Sequence, residues 1–149
     1  MNHSVDQSEM IEAKQALPSK PQYGISEVAD MTGISAYTLR YYDKCGFFPN
    51  LYRNKNKTRS FSDKDISWLR LIDALRKSGL SIEGIQYFVR LTLKENSNGD
   101  EQYKILEDQE TVLEYQLAEI QESLKVLQVE KLLIKSSLSN NFDGIDHNA

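Results

Sequence analysis

The sequence predicts a mainly α protein, with a winged helix-turn-helix head followed by one long helix that pairs with a second copy as an antiparallel coiled coil. Three observations predict it. Two short helices stand either side of a Gly-containing turn and lead into a basic loop, two more helices each begin at a serine with capping signals, and no Pro or Gly occurs from Asp100 to Leu138. The 149 residues give room for one small domain and an elongated element.

The first 21 residues have neither a basic start nor a continuous apolar stretch, so they do not read as a secretory signal. They are expected to be a mobile, disordered tail on a cytoplasmic protein. The first helix opens at Ile25 and Ser26, with Ser26 as its N-cap and Val28, Ala29 and Met31 facing inward. Thr32 and Gly33 break it, and Ser35 caps a second helix from Ala36 to about Lys44. Residues 46–61, GFFPNLYRNKNKTRSF, combine Gly, Pro and Asn with aromatic ends and read as a loop or short β-ribbon. Ser62 and Asp65 then have capping-box spacing, with Phe61 and Ile66 placed as a hydrophobic staple. Ile66, Leu69, Ile72 and Leu75 continue this third helix at helical spacing, and Arg76, Lys77 and Gly79 suit its C-terminal end. The device repeats: Leu80 and Ile85 staple a helix capped by Ser81, with Ile82, Ile85, Phe88 and Val89 on its buried side, and ENSNGD (95–100) ends it.

The remaining helix carries a seam of alternating three- and four-residue steps: Tyr103, Leu106, Glu110, Leu113, Leu117, Ile120, Leu124, Leu127, Lys131, Ile134 and Leu138. This is the heptad pattern of a coiled coil. The two charged exceptions choose the direction. In a parallel pair Glu110 would face Glu110 and Lys131 would face Lys131, whereas crossing head to tail about Ile120 sets Glu110 of one chain near Lys131 of the other. An exposed pair of this kind contributes about 0.2–1 kcal/mol, so the leucines supply the stability and the charges select the orientation. Val126, Val129 and Leu133 form a second apolar stripe, expected to pack on the partner's residues 62–93. The domain boundaries are therefore a tail over 1–21, the head over 22–95, the dimerisation helix over 100–138 and a second disordered tail over 139–149.

Charge divides along the same line. The net charge is -4, yet residues 20–77 hold eleven Lys/Arg against six Asp/Glu, while the rest holds seven against sixteen. A cationic head on an acidic remainder is what steering toward a polyanion requires. A helix beginning at Ser35 has the length to enter the major groove of double-stranded DNA, where Ser35, Ala36, Thr38 and Arg40 reach base edges or phosphates. Tyr41 and Tyr42 are one helical step apart and cannot point the same way; Tyr41 is read as outward, toward a phosphate, and Tyr42 as packed inside. Arg53, Lys55, Lys57 and Arg59, four cations within seven residues, make a basic wing for phosphate contacts.

These residues resemble the MerR family of bacterial transcription regulators. The resemblance rests on Tyr23, Ile25, Val28, Ala29, Thr32 to Ser35, TLRYYDKCGFFP (38–49), Arg59 with Phe61, and SDKDISWLRLIDALRKSGLSIEGI (62–85), and it extends to about residue 138. It implies a winged helix-turn-helix, an antiparallel dimerisation helix, and binding to an inverted repeat in an overlong promoter spacer that is distorted to align the elements read by RNA polymerase. Thr38, Arg40 and Tyr41 carry over as recognition-helix contacts, and Arg53, Lys57 and Arg59 as wing contacts. Thr58 departs from the aromatic residue that family members place before the wing arginine.

The sensor departs further. Metal-responsive members carry cysteines at the start of the long helix and after it, which this chain lacks, and only 11 residues follow Leu138, too few for a drug-binding domain. Size and the pattern ILEDQETVLEYQLAEIQESLKVL are most similar to a small aldehyde- and thiol-stress-responsive branch, whose helix cysteine aligns with Ala74. Cys45, the single cysteine, is a possible redox residue but reads better as a small apolar one. It also excludes an internal disulfide, and with His3 and His147 in the tails no zinc set is expected, nor any other cofactor. No run approaches the length of a membrane span, and no nucleophile set or phosphate loop points to an enzyme. The competing reading is a coiled-coil adaptor without sequence-specific DNA binding, which leaves the basic wing unexplained.

Overall fold

The computed structural model describes residues 6–94 and 99–146. His3, His147 and residues 95–98 of the break lie outside the described residues. In chain order the elements are α1 (Gln7–Gln15), α2 (Ile25–Thr32), α3 (Ala36–Lys44), β1 (Tyr52–Arg53), β2 (Arg59–Ser60), α4 (Asp63–Lys77), α5 (Ile82–Leu93) and α6 (Asp100–Asp146).

α1 lies where the sequence suggested an irregular tail. The Asp6 carboxylate accepts from Ser8 N at 3.2 Å, and Glu9 in the first turn and Lys14 in the last complement the helix dipole. None of its residues is buried. α2 begins two residues earlier than a cap at Ser26 implied: Gly24 is the N-cap, and its N–H donates to Glu27 Oε1 at 3.4 Å. Burial follows the stripe Ile25, Val28, Ala29 and Thr32; Met31 lies off that stripe and is exposed, contrary to expectation. The Thr32 hydroxyl donates to Val28 O and accepts from Ile34 N, closing the turn that Gly33 enters at φ 75.

The stretch 46–61 contains a β-ribbon. β1 and β2 pair antiparallel, with Tyr52 opposite Ser60 and Arg53 opposite Arg59. At its tip Asn54 Oδ1 accepts from the N–H groups of Asn56 and Thr58, each at 2.9 Å, an Asx turn that supports Lys57 at φ 61. At its base the N–H of Tyr23 donates to Phe61 O and that of Phe61 to Tyr23 O, so the segment before α2 is sewn to the end of the wing.

α4 starts as the sequence indicates: Ser62 Oγ accepts from Asp65 N at 3.1 Å and Asp65 Oδ2 accepts from Ser62 N at 2.9 Å. Ser81 caps α5 by accepting from Gly84 N. Val28, Leu39, Phe47, Phe61, Leu69, Ile72 and Ile85 are fully or almost fully buried and form one core shared by α2, α3, α4, α5 and the wing base. Trp68 Nε1 donates to Phe47 O at 2.7 Å and its ring stacks on Phe88, which fixes the chain leaving α3 against α4 and α5.

The chain divides into two compact units, residues 1–109 and 110–149. Within the first, the opening turns of α6 are tied down. Ile105 packs on the core, Gln102 Nε2 donates to Thr92 Oγ1 at 2.7 Å, Tyr87 and Glu101 are hydrogen-bonded, and the side chains of Ser78 and Gln109 meet at 2.8 Å. The described part of the second unit is helix to Asp146, so it continues beyond Leu138 into residues read from sequence as a disordered tail. Extension of an existing helix needs no new nucleus, and Gly144 alone costs only about 1 kcal/mol.

Candidate nucleic-acid interface

Ser35 starts the recognition helix. Its hydroxyl accepts from Thr38 N at 3.1 Å and donates to Thr38 Oγ1 at 2.9 Å, so the two hydroxyls hold the first turn together. Ser35 is exposed, while Ala36 and Thr38 are half-buried. Leu39, Tyr42 and Asp43 form the buried face of α3. Helical geometry then puts residues 37, 40, 41 and 44 on the other side, and Tyr37, Arg40, Tyr41 and Lys44 are all exposed. Arg40 has no ion-pair partner among the described residues.

The adjacent tyrosines divide as anticipated, with Tyr42 at 5% exposure and Tyr41 at 45%. Burial raises the Tyr42 phenol above its ordinary pKa, with Asp73 adding to the effect. Tyr41 is also raised, first by its hydrogen bond to the Cys45 thiol, while Arg76 opposes and Glu83 reinforces the shift. Cys45 is half-buried at the C-cap of α3, where its carbonyl accepts from Gln86 Nε2 at 2.9 Å.

The wing cations separate into two pairs. Arg53 Nη2 and Arg59 Nε both reach Asp43 Oδ2, each at 2.5 Å, and the Asp43 side chain is 4% exposed. Arg53 and Arg59 are register partners, so two like charges face each other across the ribbon and the carboxylate from α3 lies between them. This clamp fixes the wing relative to the recognition helix and leaves each guanidinium with unused N–H groups. Lys55 and Lys57, at the tip, are exposed and have no ion-pair partner among the described residues. Sequence reasoning gave all four cations one role; the buried carboxylate that divides them was hidden because Asp43 reads as one more helix-surface acid.

Tyr37 was missed by sequence reasoning as well. It is 80% exposed and stands on the same stripe as Arg40. The signal was available: once Leu39 and Tyr42 are assigned inward, spacing of three and four sends Tyr37 out with Arg40 and Tyr41.

In the second unit the seam residues Leu113, Leu117, Ile120, Leu124, Leu127 and Ile134 are all exposed, as are Glu110 and Lys131. Leu106, in the first unit, is exposed too, because the face of α6 turned to the core carries Gln102, Ile105 and Gln109 instead. Among the described residues no three His, Cys, Asp or Glu side chains group as a metal site, and no helix is long and apolar enough to cross a membrane.

The family model for the MerR HTH family regulatory protein matches residues 23–91. An uncharacterised HTH-type transcriptional regulator of Haemophilus influenzae is 37% identical over 106 residues, covering 71% of this chain and 78% of that protein. The HTH-type transcriptional regulator AdhR of Bacillus subtilis is 33% identical over 85 residues, 57% of this chain and 61% of its own length. Among solved structures, HiNmlR, a MerR family regulator lacking the sensor domain and bound to promoter DNA, matches with a TM-score of 0.68 and 33% identity, over 78% of this chain and 93% of that one. A MerR family regulator from Bacillus thuringiensis matches with a TM-score of 0.64 and 30% identity, over 72% and 95%.

Proposed function

This chain belongs to the MerR family of helix-turn-helix transcriptional regulators, and from that premise we propose that it binds an inverted-repeat promoter operator as a homodimer and controls transcription by distorting the DNA. The observation that carries the reading is the juxtaposition of an exposed Arg40 stripe on α3 with a wing locked to the same helix through Asp43 and tipped by Lys55 and Lys57. A helix of nine residues fits the major groove, and the lysine tip suits phosphates beside it. The promoter-DNA complex of HiNmlR supports the same use of the fold.

The exposed leucine seam supplies the second copy. Antiparallel pairing about Ile120 buries the leucines and sets Glu110 against Lys131, which gives two reading heads at a fixed spacing. Fixed heads on an inverted repeat gain affinity when the DNA bends or twists to meet both, and that deformation aligns the promoter for RNA polymerase in the cytoplasm. Ser35, Ala36, Thr38, Arg40 and Tyr41 supply the groove contacts in this scheme, and the wing lysines with the remaining N–H groups of Arg53 and Arg59 supply phosphate contacts.

Footprinting and gel-shift titration on the DNA upstream of the chain's own coding region test the proposal. The expected result is a protected inverted repeat whose affinity falls steeply with salt. Arg40→Ala should weaken specific binding at least roughly tenfold while the protein stays dimeric in sedimentation. A coiled-coil adaptor would protect no sequence.

A further inference from the structure

We propose that Tyr37 is a specificity-determining residue of the recognition helix, reading the C5 methyl of a thymine in each operator half-site with the face of its ring. The inference rests on the reading that α3 enters the major groove. Tyr37 lies in the first turn of α3, the part of such a helix that reaches base edges. It is 80% exposed, the greatest exposure of any large apolar side chain in the described chain. It makes no hydrogen bond to any described residue.

Nothing in the fold uses this ring. The first turn is already held by the Ser35 and Thr38 hydroxyls, and the core side of α3 is filled by Leu39 and Tyr42. Yet a large, stiff aromatic surface held in water is costly, and it stands beside the unpaired Arg40, three residues and about one helical turn along the same stripe. When the helix enters the groove, the two side chains meet different chemistry. Arginine pairs with the acceptors of guanine or with phosphate, whereas an aromatic face gains only from an apolar group. The thymine methyl is the one such group that the major groove presents. The assignment is thus to the ring, and the hydroxyl is not needed for it.

The full-length protein would be used to select binding sites from DNA with randomised half-sites, followed by gel-shift titration of the selected site. Wild type should require thymine at one position of each half-site. Replacing that thymine with deoxyuridine, which lacks only the methyl, should weaken wild-type binding roughly tenfold. Tyr37→Ala should lose the thymine preference and respond equally to thymine and deoxyuridine, and Tyr37→Phe should keep it. The deoxyuridine arm leaves the protein unaltered, so a folding defect in the alanine variant cannot mimic the result. Selection of the same site with the same strength by Tyr37→Ala, or insensitivity of wild type to the methyl at every thymine, overturns the proposal. If Arg40→Ala still loses specific binding in that case, the DNA-binding reading survives without the Tyr37 assignment. If wild type selects no sequence at all, both fall.

Discussion

Asp43 lies where the recognition helix meets the wing, and its carboxylate holds Arg53 and Arg59 by the same oxygen. Asn at that position keeps the shape but removes the charge from between two guanidiniums that then face each other. Because Arg53 is 42% exposed and Arg59 27%, solvent softens the loss, and Asp43→Asn should cost roughly 1–2 kcal/mol by urea unfolding. The same variant should speed hydrogen exchange of the wing amides of Arg53 and Arg59 well beyond that of the α4 amides. Equal exchange in both regions would mean that the clamp does not order the wing. At this scale the sequence was only partly legible: Arg40, read as a base or phosphate contact, and Tyr41, read as the outward one of the two tyrosines, are both exposed. The partners of Arg53 and Arg59 were not legible, because a residue ten positions away in one case and sixteen in the other supplies the charge.

Among the elements, those with reciprocal local signals were the most legible. α4 begins at Ser62 because two side chains satisfy two backbone N–H groups across three residues, and nothing distant is required. Ser62 is itself 3% exposed, so its replacement leaves the partly buried Asp65 amide without its acceptor. Ser62→Ala should lower stability by about 1 to 2 kcal/mol, read as a shift of the urea midpoint at constant slope. Asp65→Ala on top of it should add less than its own single cost, since both act in one box. Where the signal was one-sided, the expectation slipped. Ser26 has the preferred residue type for a cap, yet Gly24 takes the position because Glu27 reaches back to its N–H. α1 was overlooked because its stability comes from a cap and two end charges, with no buried stripe for periodicity to detect.

For the whole molecule, the proposed antiparallel pair makes charge a test of direction. Glu110→Lys turns two attractive contacts with Lys131 into repulsive ones in a head-to-tail dimer, but in a parallel dimer it only replaces one like-charged pair by another. Dimer dissociation followed by sedimentation should therefore shift by about 1 kcal/mol toward monomer, and adding Lys131→Glu should restore it. Unchanged dimer stability in the single variant counts against the register about Ile120. Within the first unit, α6 turns Gln102, Ile105 and Gln109 toward the head, and Leu106, the seam residue there, stays exposed.

The sequence by itself determined the helices of the head, the capped start of α4 and the uninterrupted helix from Asp100, and it left residues 46–61 as a loop or a short ribbon, which the structure resolves as a ribbon. Each of these is written in side chains within a few positions of one another: a cap, a glycine, a three-and-four spacing. Only the tertiary structure decided that Asp43 splits the wing cations into a clamped pair and an unclamped one, that Tyr41 leans toward Cys45 while Tyr37 stands clear, and which face of α6 the head covers. Those outcomes depend on which groups arrive at one point from remote parts of the chain. A buried carboxylate chooses its partners by distance and desolvation, and neither is encoded in neighbouring letters.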